Sequence, residues 1–241
     1  MGRHGTIAGR KSAQDARRAA MFTKYTRQII VAAKDGGDPE FNSSLRVAID
    51  KAKAIGMPND NINRAIKKGT GELAGESYDE LLFEGYGPSG VAVIVEALTD
   101  NKNRTAAFVR STFDKNGGNL GTPGCVSYMF SRKGVIFIEK NNNLDEDTVM
   151  MEALEAGAED MIVNQDNFEV RTEATDYHTV LDALKAAGYE IAESEVEFIP
   201  SMESKVDDEA TIKSLHKLID TLDDNDDVQR VSYNCDLPEI E

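Results

Sequence analysis

The stretch Gly90-Val-Ala-Val-Ile-Val-Glu-Ala-Leu98 is an almost unbroken apolar run rich in valine. A short run of this kind that begins at a glycine is typical of a buried β-strand. Before this run, apolar residues recur at intervals of three and four instead, which is the spacing of amphipathic helices. The change of period predicts an N-terminal helical part followed by mixed α and β structure.

Three helices are predicted before the run, and glycine or proline ends each of them. They cover about residues 13–36, 43–55 and 59–69. Residues 1–75 are therefore predicted to form a helical bundle. Within it, residues 2–12 are rich in Gly, Arg and Lys, and we predict that they form a flexible N-terminal arm that becomes ordered on a partner.

After the run, the pattern predicts a helix, a strand and then the order βαββαβ, followed by one more helix and strand. The predicted ranges are 103–115, 126–130, 134–199, 208–222 and 228–233. The βαββαβ order is the ferredoxin-like arrangement, in which right-handed crossovers place both helices on one face of an antiparallel sheet. The last helix and strand are too few to bury a core, so we expect them to return to the sheet that contains the 90–98 run.

The sequence thus predicts a multidomain α and α+β protein. Its predicted domains are 1–75, the basic helical domain with its arm; 76–132 plus 201–241, a discontinuous α+β domain; and 133–200, a ferredoxin-like domain inserted in the other.

Charge is unevenly distributed along the chain. Residues 1–71 contain fourteen Lys and Arg against six Asp and Glu, whereas residues 141–241 contain six against twenty-eight. The whole chain has a formal net charge of −16, which repels phosphate when it is spread evenly. A basic segment in such a chain can present one face to phosphate while the rest keeps the protein soluble. The helical domain is therefore the candidate nucleic-acid-binding part.

Four basic residues of the first predicted helix lie within an arc of about 100° opposite its apolar stripe. They are Arg17, Lys24, Arg27 and Lys34. This strip is predicted to face outward and to contact phosphate groups. With the arm and the other two helices, the candidate nucleic-acid-binding residues are Arg3, Arg10, Lys11, Arg17, Arg18, Lys24, Arg27, Lys34, Arg46, Lys53, Arg64, Lys67 and Lys68.

The sequence contains no pattern that specifies a catalytic, cofactor or metal site. Its histidines, His4, His178 and His216, have no metal-ligand spacing and no neighbouring nucleophile. The acidic loop at 223–227 imitates the start of a calcium loop but lacks the required Gly and Glu, so we predict that it is solvated. We therefore predict a protein that is not an enzyme and has no cofactor, metal or small-molecule substrate.

The two cysteines, Cys125 and Cys235, suit a reducing compartment. The apolar runs are too short to cross a membrane. The sequence therefore predicts a cytoplasmic protein.

Long strings of the sequence resemble the YebC family, and the resemblance covers nearly the whole chain. These strings include Leu45-Arg-Val-Ala-Ile-Asp-Lys-Ala-Lys53, Met57-Pro-Asn-Asp-Asn-Ile62, Arg64-Ala-Ile-Lys-Lys-Gly-Thr-Gly71, Glu84-Gly-Tyr-Gly-Pro88 and Thr99-Asp-Asn-Lys-Asn-Arg-Thr105. The resemblance implies three domains, one ferredoxin-like and inserted. It also implies a probable DNA-binding transcriptional regulator without enzymatic activity, although the family includes a mitochondrial translational activator and ribosome-linked bacterial members.

Three functions are compatible with these observations. The leading one is a DNA-binding regulator of transcription that binds through its basic helical domain. The first alternative is a translation factor on the ribosome, whose basic arm lies on ribosomal RNA while its acidic domains face tRNA, protein or solvent. The second is a module whose acidic half binds a basic protein. The chain has no Trp, so its arm has no tryptophan ring that could stack on a base. Contact with the phosphate backbone is the predicted mode of the arm.

Overall fold

The computed structural model describes residues 7–141 and 144–238, with side chains described from Arg18 onward. Its contacts divide the chain into two compact units. The first unit comprises Met1–Cys125, Val206–Val231 and Leu237–Glu241, and the second comprises Val126–Lys205 and Ser232–Asp236. Mixed α and β structure follows the N-terminal helices, as the sequence predicts. Within the described ranges, no helix is both long and apolar enough to span a bilayer.

The first unit begins with three helices: α1 (Ile7–Ala32), α2 (Ser43–Ala54) and α3 (Asn59–Gly69). A short 3-10 helix, Ala33–Asp35, continues α1. Helix α1 starts six residues before the predicted position 13, so the part of the predicted arm from Ile7 onward is helical. Residues 1–6, the rest of the predicted arm, lie outside the described residues.

The three helices share an apolar core, and their loops are fixed by specific contacts. Ile29, Leu45 and Ala52 are among its fully buried side chains. Asn42 caps α2 by accepting from the Leu45 backbone N–H, and its side-chain amide donates to the Ala32 carbonyl. At the end of α3, a Cβ placed on Gly69 would lie only 2.4 Å from the Ile30 carbonyl oxygen. The close approach of α1 and α3 therefore requires glycine at this position.

The first unit continues with a sheet and two helices. Its strands are β1 (Asp79–Tyr86), β2 (Ala92–Thr99), β3 (Asn119–Leu120) and β8 (Val228–Tyr233), in the spatial order β3-β1-β2-β8, and its helices are α4 (Lys102–Lys115) and α7 (Glu209–Asp223). Strand β2 is the buried run that predicts the sheet, and β8 lies beside it as expected. Strand β1 pairs antiparallel with β2 over its whole length. The sequence analysis missed β1, because six of its eight residues are at least partly exposed.

The second unit follows the predicted order of elements. These are β4 (Phe130–Glu139), α5 (Glu146–Glu155), β5 (Asp160–Val163), β6 (Asn167–Glu173), α6 (Tyr177–Ala186) and β7 (Ile191–Pro200), with the strands in the order β5-β6-β4-β7. All three neighbouring pairs are antiparallel. The predicted strand at 126–130 is wrong: Ser127–Met129 is a 3-10 helix, and Phe130 is the first residue of β4.

Candidate nucleic-acid interface

Two residues of the predicted cationic strip on α1 contact other residues of the same chain instead of facing solvent. The Lys24 ammonium donates to the Asp223 carbonyl oxygen at 2.9 Å. One guanidinium nitrogen of Arg27 lies 2.6 Å from a carboxylate oxygen of Asp227, and the side chain of Arg27 is only 11% exposed. The prediction that these two side chains face outward is therefore wrong. The residues opposite the apolar stripe of α1 contact the loop between α7 and β8.

Asp227 is the centre of this contact. Its carboxylate accepts hydrogen bonds from Arg27 and Arg104 and from the Thr105 hydroxyl, the last at 2.7 Å. The Thr99 hydroxyl donates to the same carboxylate at 3.2 Å. A buried carboxylate needs such partners, because burial without them is strongly unfavourable. This network joins α1, the end of β2, the start of α4 and the loop before β8.

The network determines the ionisation of Asp227. Burial alone raises the pKa of this carboxyl, but the hydrogen bonds from Arg104, Thr105 and Arg27 outweigh it and hold the pKa below its usual value. For Lys24, burial lowers the pKa of the ammonium and the nearby carboxylates of Asp223, Asp226 and Asp224 oppose this effect. The pKa of each group is therefore set by burial and by neighbouring groups of the protein.

The depressed pKa of Asp227 predicts that the folded protein loses stability in acid. An unfolded aspartate has a pKa of about 3.9. Because the folded pKa is lower, the stabilising contribution of Asp227 is fully present above that value and is lost as the pH falls through the folded pKa. We expect the urea midpoint of the unchanged protein to fall more steeply between about pH 5 and pH 3 than that of Asp227→Asn, which has no proton to take up at this position. Parallel pH profiles for the two proteins would contradict this assignment.

Three further candidate residues are also engaged by contacts within the first unit. The Lys34 ammonium donates to the Tyr78 carbonyl at 2.7 Å. Arg18 donates to the Ile55 carbonyl at the end of α2, and Arg46 donates to the Pro39 carbonyl in the loop before α2. These contacts close helix ends and loops, so part of the predicted basic surface stabilises the fold.

A second group of candidate residues is free to meet a partner. Arg64, Lys67 and Lys68 of α3 lie within an arc of about 100° on one face of that helix, and Lys53 lies on α2. Lys53, Arg64 and Lys67 are exposed and Lys68 is half-buried. Among the residues that the structure describes, none forms a side-chain hydrogen bond or ion pair with these four side chains. We call these four residues the α2–α3 basic face.

The remaining candidates cannot be placed. Arg3 lies outside the described residues. Arg10, Lys11 and Arg17 belong to α1, but their side chains lie outside the described part.

The sequence analysis missed Asp227 and Arg104. The acidic loop at 223–227 is predicted to be solvated, yet Asp227 is 4% exposed. The sequence does offer a signal, because Asp227 directly precedes Val228, the first residue of the predicted strand at 228–233. Val228 is fully buried, so the loop enters the sheet at this point. Among the described residues, no group of His, Cys, Asp and Glu could hold a metal ion.

Comparison with known proteins adds family information to this geometry. A family model described as the TACO1/YebC N-terminal domain matches residues 3–72, and one described as the TACO1/YebC second and third domain matches residues 78–235. A probable transcriptional regulatory protein of Clostridioides difficile is 54% identical over 98% of this chain and 100% of its own length. One of Persephonella marina is 53% identical over 96% of this chain and 93% of its own length.

A solved structure is also similar over nearly the whole chain. The crystal structure of a conserved hypothetical protein from Aquifex aeolicus matches with a TM-score of 0.84 and 44% sequence identity. The match covers 94% of this chain and 93% of the other. The similarity therefore includes both compact units.

Proposed function

The chain belongs to the TACO1/YebC family, and we propose that it is a regulator of gene expression that binds DNA through its N-terminal helices. The names of its relatives, probable transcriptional regulatory proteins, support a regulatory and non-enzymatic role. The uneven distribution of charge supports nucleic acid as the partner. The N-terminal segment, residues 1–71, is basic and attracts phosphate, whereas the acidic remainder of the chain would repel it.

The α2–α3 basic face is the observation that carries this proposal. Its side chains have no described partner in the protein, whereas Lys24 and Arg27 of α1 are held by the loop at 223–227. Lysine and arginine side chains that are not engaged internally are available for phosphate oxygens. We therefore propose that Lys53, Arg64, Lys67 and Lys68 make phosphate contacts, and that Lys24 and Arg27 hold the domain in place.

The proposed contacts are to the phosphate backbone of the nucleic acid. Contacts from lysine and arginine to phosphate position a protein on nucleic acid without reading its sequence. Sequence discrimination by a transcriptional regulator then requires further contacts to base edges or to DNA shape.

We also propose the division into domains 1–75, 76–132 plus 201–241, and 133–200, and a ferredoxin-like fold for the last, which its βαββαβ order supports.

Charge reversal on α3 tests the proposed interface. The double variant Arg64→Glu/Lys67→Glu should weaken binding to duplex DNA on the order of 100-fold at moderate salt, because two phosphate contacts become repulsive. The slope of log Kd against log salt should also fall by about 2. Stability should stay within about 0.5 kcal/mol of the unchanged protein, because both side chains are exposed.

A matched control separates local contact from net charge. Lys185→Glu/Lys205→Glu makes the same charge change on exposed residues of the second unit, and we expect a much smaller loss of affinity. Equal binding by the α3 variant and the unchanged protein would contradict the proposed interface. Tight binding to ribosomal RNA with shallow duplex preference, together with co-sedimentation with ribosomes, would favour the translation-factor alternative over DNA.

A further inference from the structure

A second basic surface lies in the first unit, in a groove between the end of α4 and the beginning of α7. The groove has a volume of about 460 Å³ and is lined by nine residues. Three of them are lysines, Lys115, Lys213 and Lys217, and none of the described residues that line the groove carries a carboxylate. This composition is opposite to that of the chain, which has 43 Asp and Glu against 27 Lys and Arg.

The helices that carry the three lysines explain the position of only one of them. Lys115 lies in the last turn of α4, where a cation is favourable to the helix dipole. Lys213 and Lys217, however, are four residues apart on α7, and like charges at this spacing destabilise a helix. The ion pair between Lys213 and Glu209, at 2.5 Å, offsets only part of this repulsion because both side chains are largely exposed. A bound anion would remove the repulsion.

Hydrogen bonds hold the residues that form the walls of the groove. Asp208 caps α7 by accepting from the backbone N–H and the hydroxyl of Thr211. The Thr211 hydroxyl also lies 3.4 Å from the Ser89 hydroxyl, which belongs to the short helix after β1. On the other side, the buried Asn116 amide donates to the Thr112 carbonyl. The lysine side chains therefore project from a fixed frame.

We propose that this groove binds phosphate groups of a nucleic-acid backbone and is a second contact site in addition to the α2–α3 basic face. An ammonium group offers three donors and a compact positive charge to phosphate oxygens. None of the described lining residues is aromatic, so a base would have no ring on which to stack. This favours a backbone over a free nucleotide. The inference rests on the proposed nucleic-acid function.

The salt dependence of binding tests the groove in the full chain. The triple variant Lys115→Gln/Lys213→Gln/Lys217→Gln removes three charges from it. For a defined DNA duplex, we expect the slope of log Kd against log salt to fall by about 2 to 3, at roughly 0.9 per phosphate contact. The control Lys102→Gln/Lys185→Gln/Lys205→Gln removes the same charge from exposed positions elsewhere and should change the slope by less than about 0.5. Circular dichroism and the urea midpoint verify that each variant is folded.

The outcomes distinguish the groove from the main interface. If Arg64→Glu/Lys67→Glu loses affinity while the groove variant behaves like its control, the groove inference is overturned and the proposed function stands. Titration calorimetry with inorganic pyrophosphate measures small-anion binding by the same variants. If the groove variant loses only pyrophosphate binding and keeps the slope for duplex DNA unchanged, the groove is not a nucleic-acid contact and the inference is also overturned. If the unchanged protein binds neither DNA nor RNA, both proposals fail.

Discussion

Replacing Asp227 by alanine is expected to lower the free energy of unfolding by about 3 to 5 kcal/mol. The change removes a buried carboxylate that accepts from Arg27, Arg104 and Thr105. It leaves the guanidinium of Arg27, itself only 11% exposed, without its counter-charge. A buried charge that loses its partner is costly, because neither water nor another side chain replaces the lost interaction. Urea denaturation followed by far-UV circular dichroism measures the effect.

The neighbouring residue provides the control. Asp226 is exposed and binds Arg27 only through its backbone carbonyl, so Asp226→Ala should change the free energy of unfolding by no more than about 0.5 kcal/mol. Asp227→Asn keeps one acceptor oxygen and should lie between the two. A loss below about 1 kcal/mol for Asp227→Ala would show that the network contributes little to stability.

The helices and strands that pack were largely predictable from the sequence, because their apolar residues recur with a clear period. Helix α2 was predicted at 43–55 and spans Ser43–Ala54, with Leu45, Ala48, Ile49 and Ala52 buried as the spacing requires. Strand β1 was not predictable in this way. Its Leu82 is 43% exposed, and Gly85 lies within the strand. These features remove both the alternation and the β-branched content that identify a strand.

The surroundings of the basic strip could not be predicted from local pattern. Helical spacing correctly places Lys24 and Arg27 opposite the apolar stripe of α1. It does not reveal that the opposite side is covered by a loop about 200 residues later in the chain, since Arg27 and Asp227 are separated by 200 positions. A charged face that is covered and a charged face that is solvated have the same sequence signature. Only the partner carboxylate distinguishes them.

This distinction changes which part of the helical domain can bind phosphate. The acidic half of the chain supplies the Asp227 carboxylate and the Asp223 carbonyl to α1, and so engages cations that sequence alone would assign to nucleic acid. The four side chains of the α2–α3 basic face keep their charge available. Asp227 therefore has a structural role in addition to its contribution to solubility.

Charge reversal of Arg27 is expected to unfold the first unit or to destabilise it by at least about 3 to 5 kcal/mol. In Arg27→Glu, a shorter side chain that ends in a carboxylate replaces the guanidinium that lies 2.6 Å from Asp227. Two negative charges then repel each other in a buried place, and the hydrogen bonds of the guanidinium are lost. The contact of Arg27 with the ring of Tyr78, at 5.1 Å, is lost as well.

Comparison with α3 decides between a structural and a phosphate-binding role for Arg27. We expect Arg27→Glu to lose DNA binding only together with its cooperative urea transition, whereas Arg64→Glu/Lys67→Glu loses binding with its transition intact. Arg27→Glu combined with Asp227→Arg reverses the ion pair and should recover part of the lost stability, because opposite charges face each other again, although Arg104 then lies beside a cation. Native stability of Arg27→Glu with complete loss of DNA binding would instead show that the strip on α1 is itself the phosphate-binding surface.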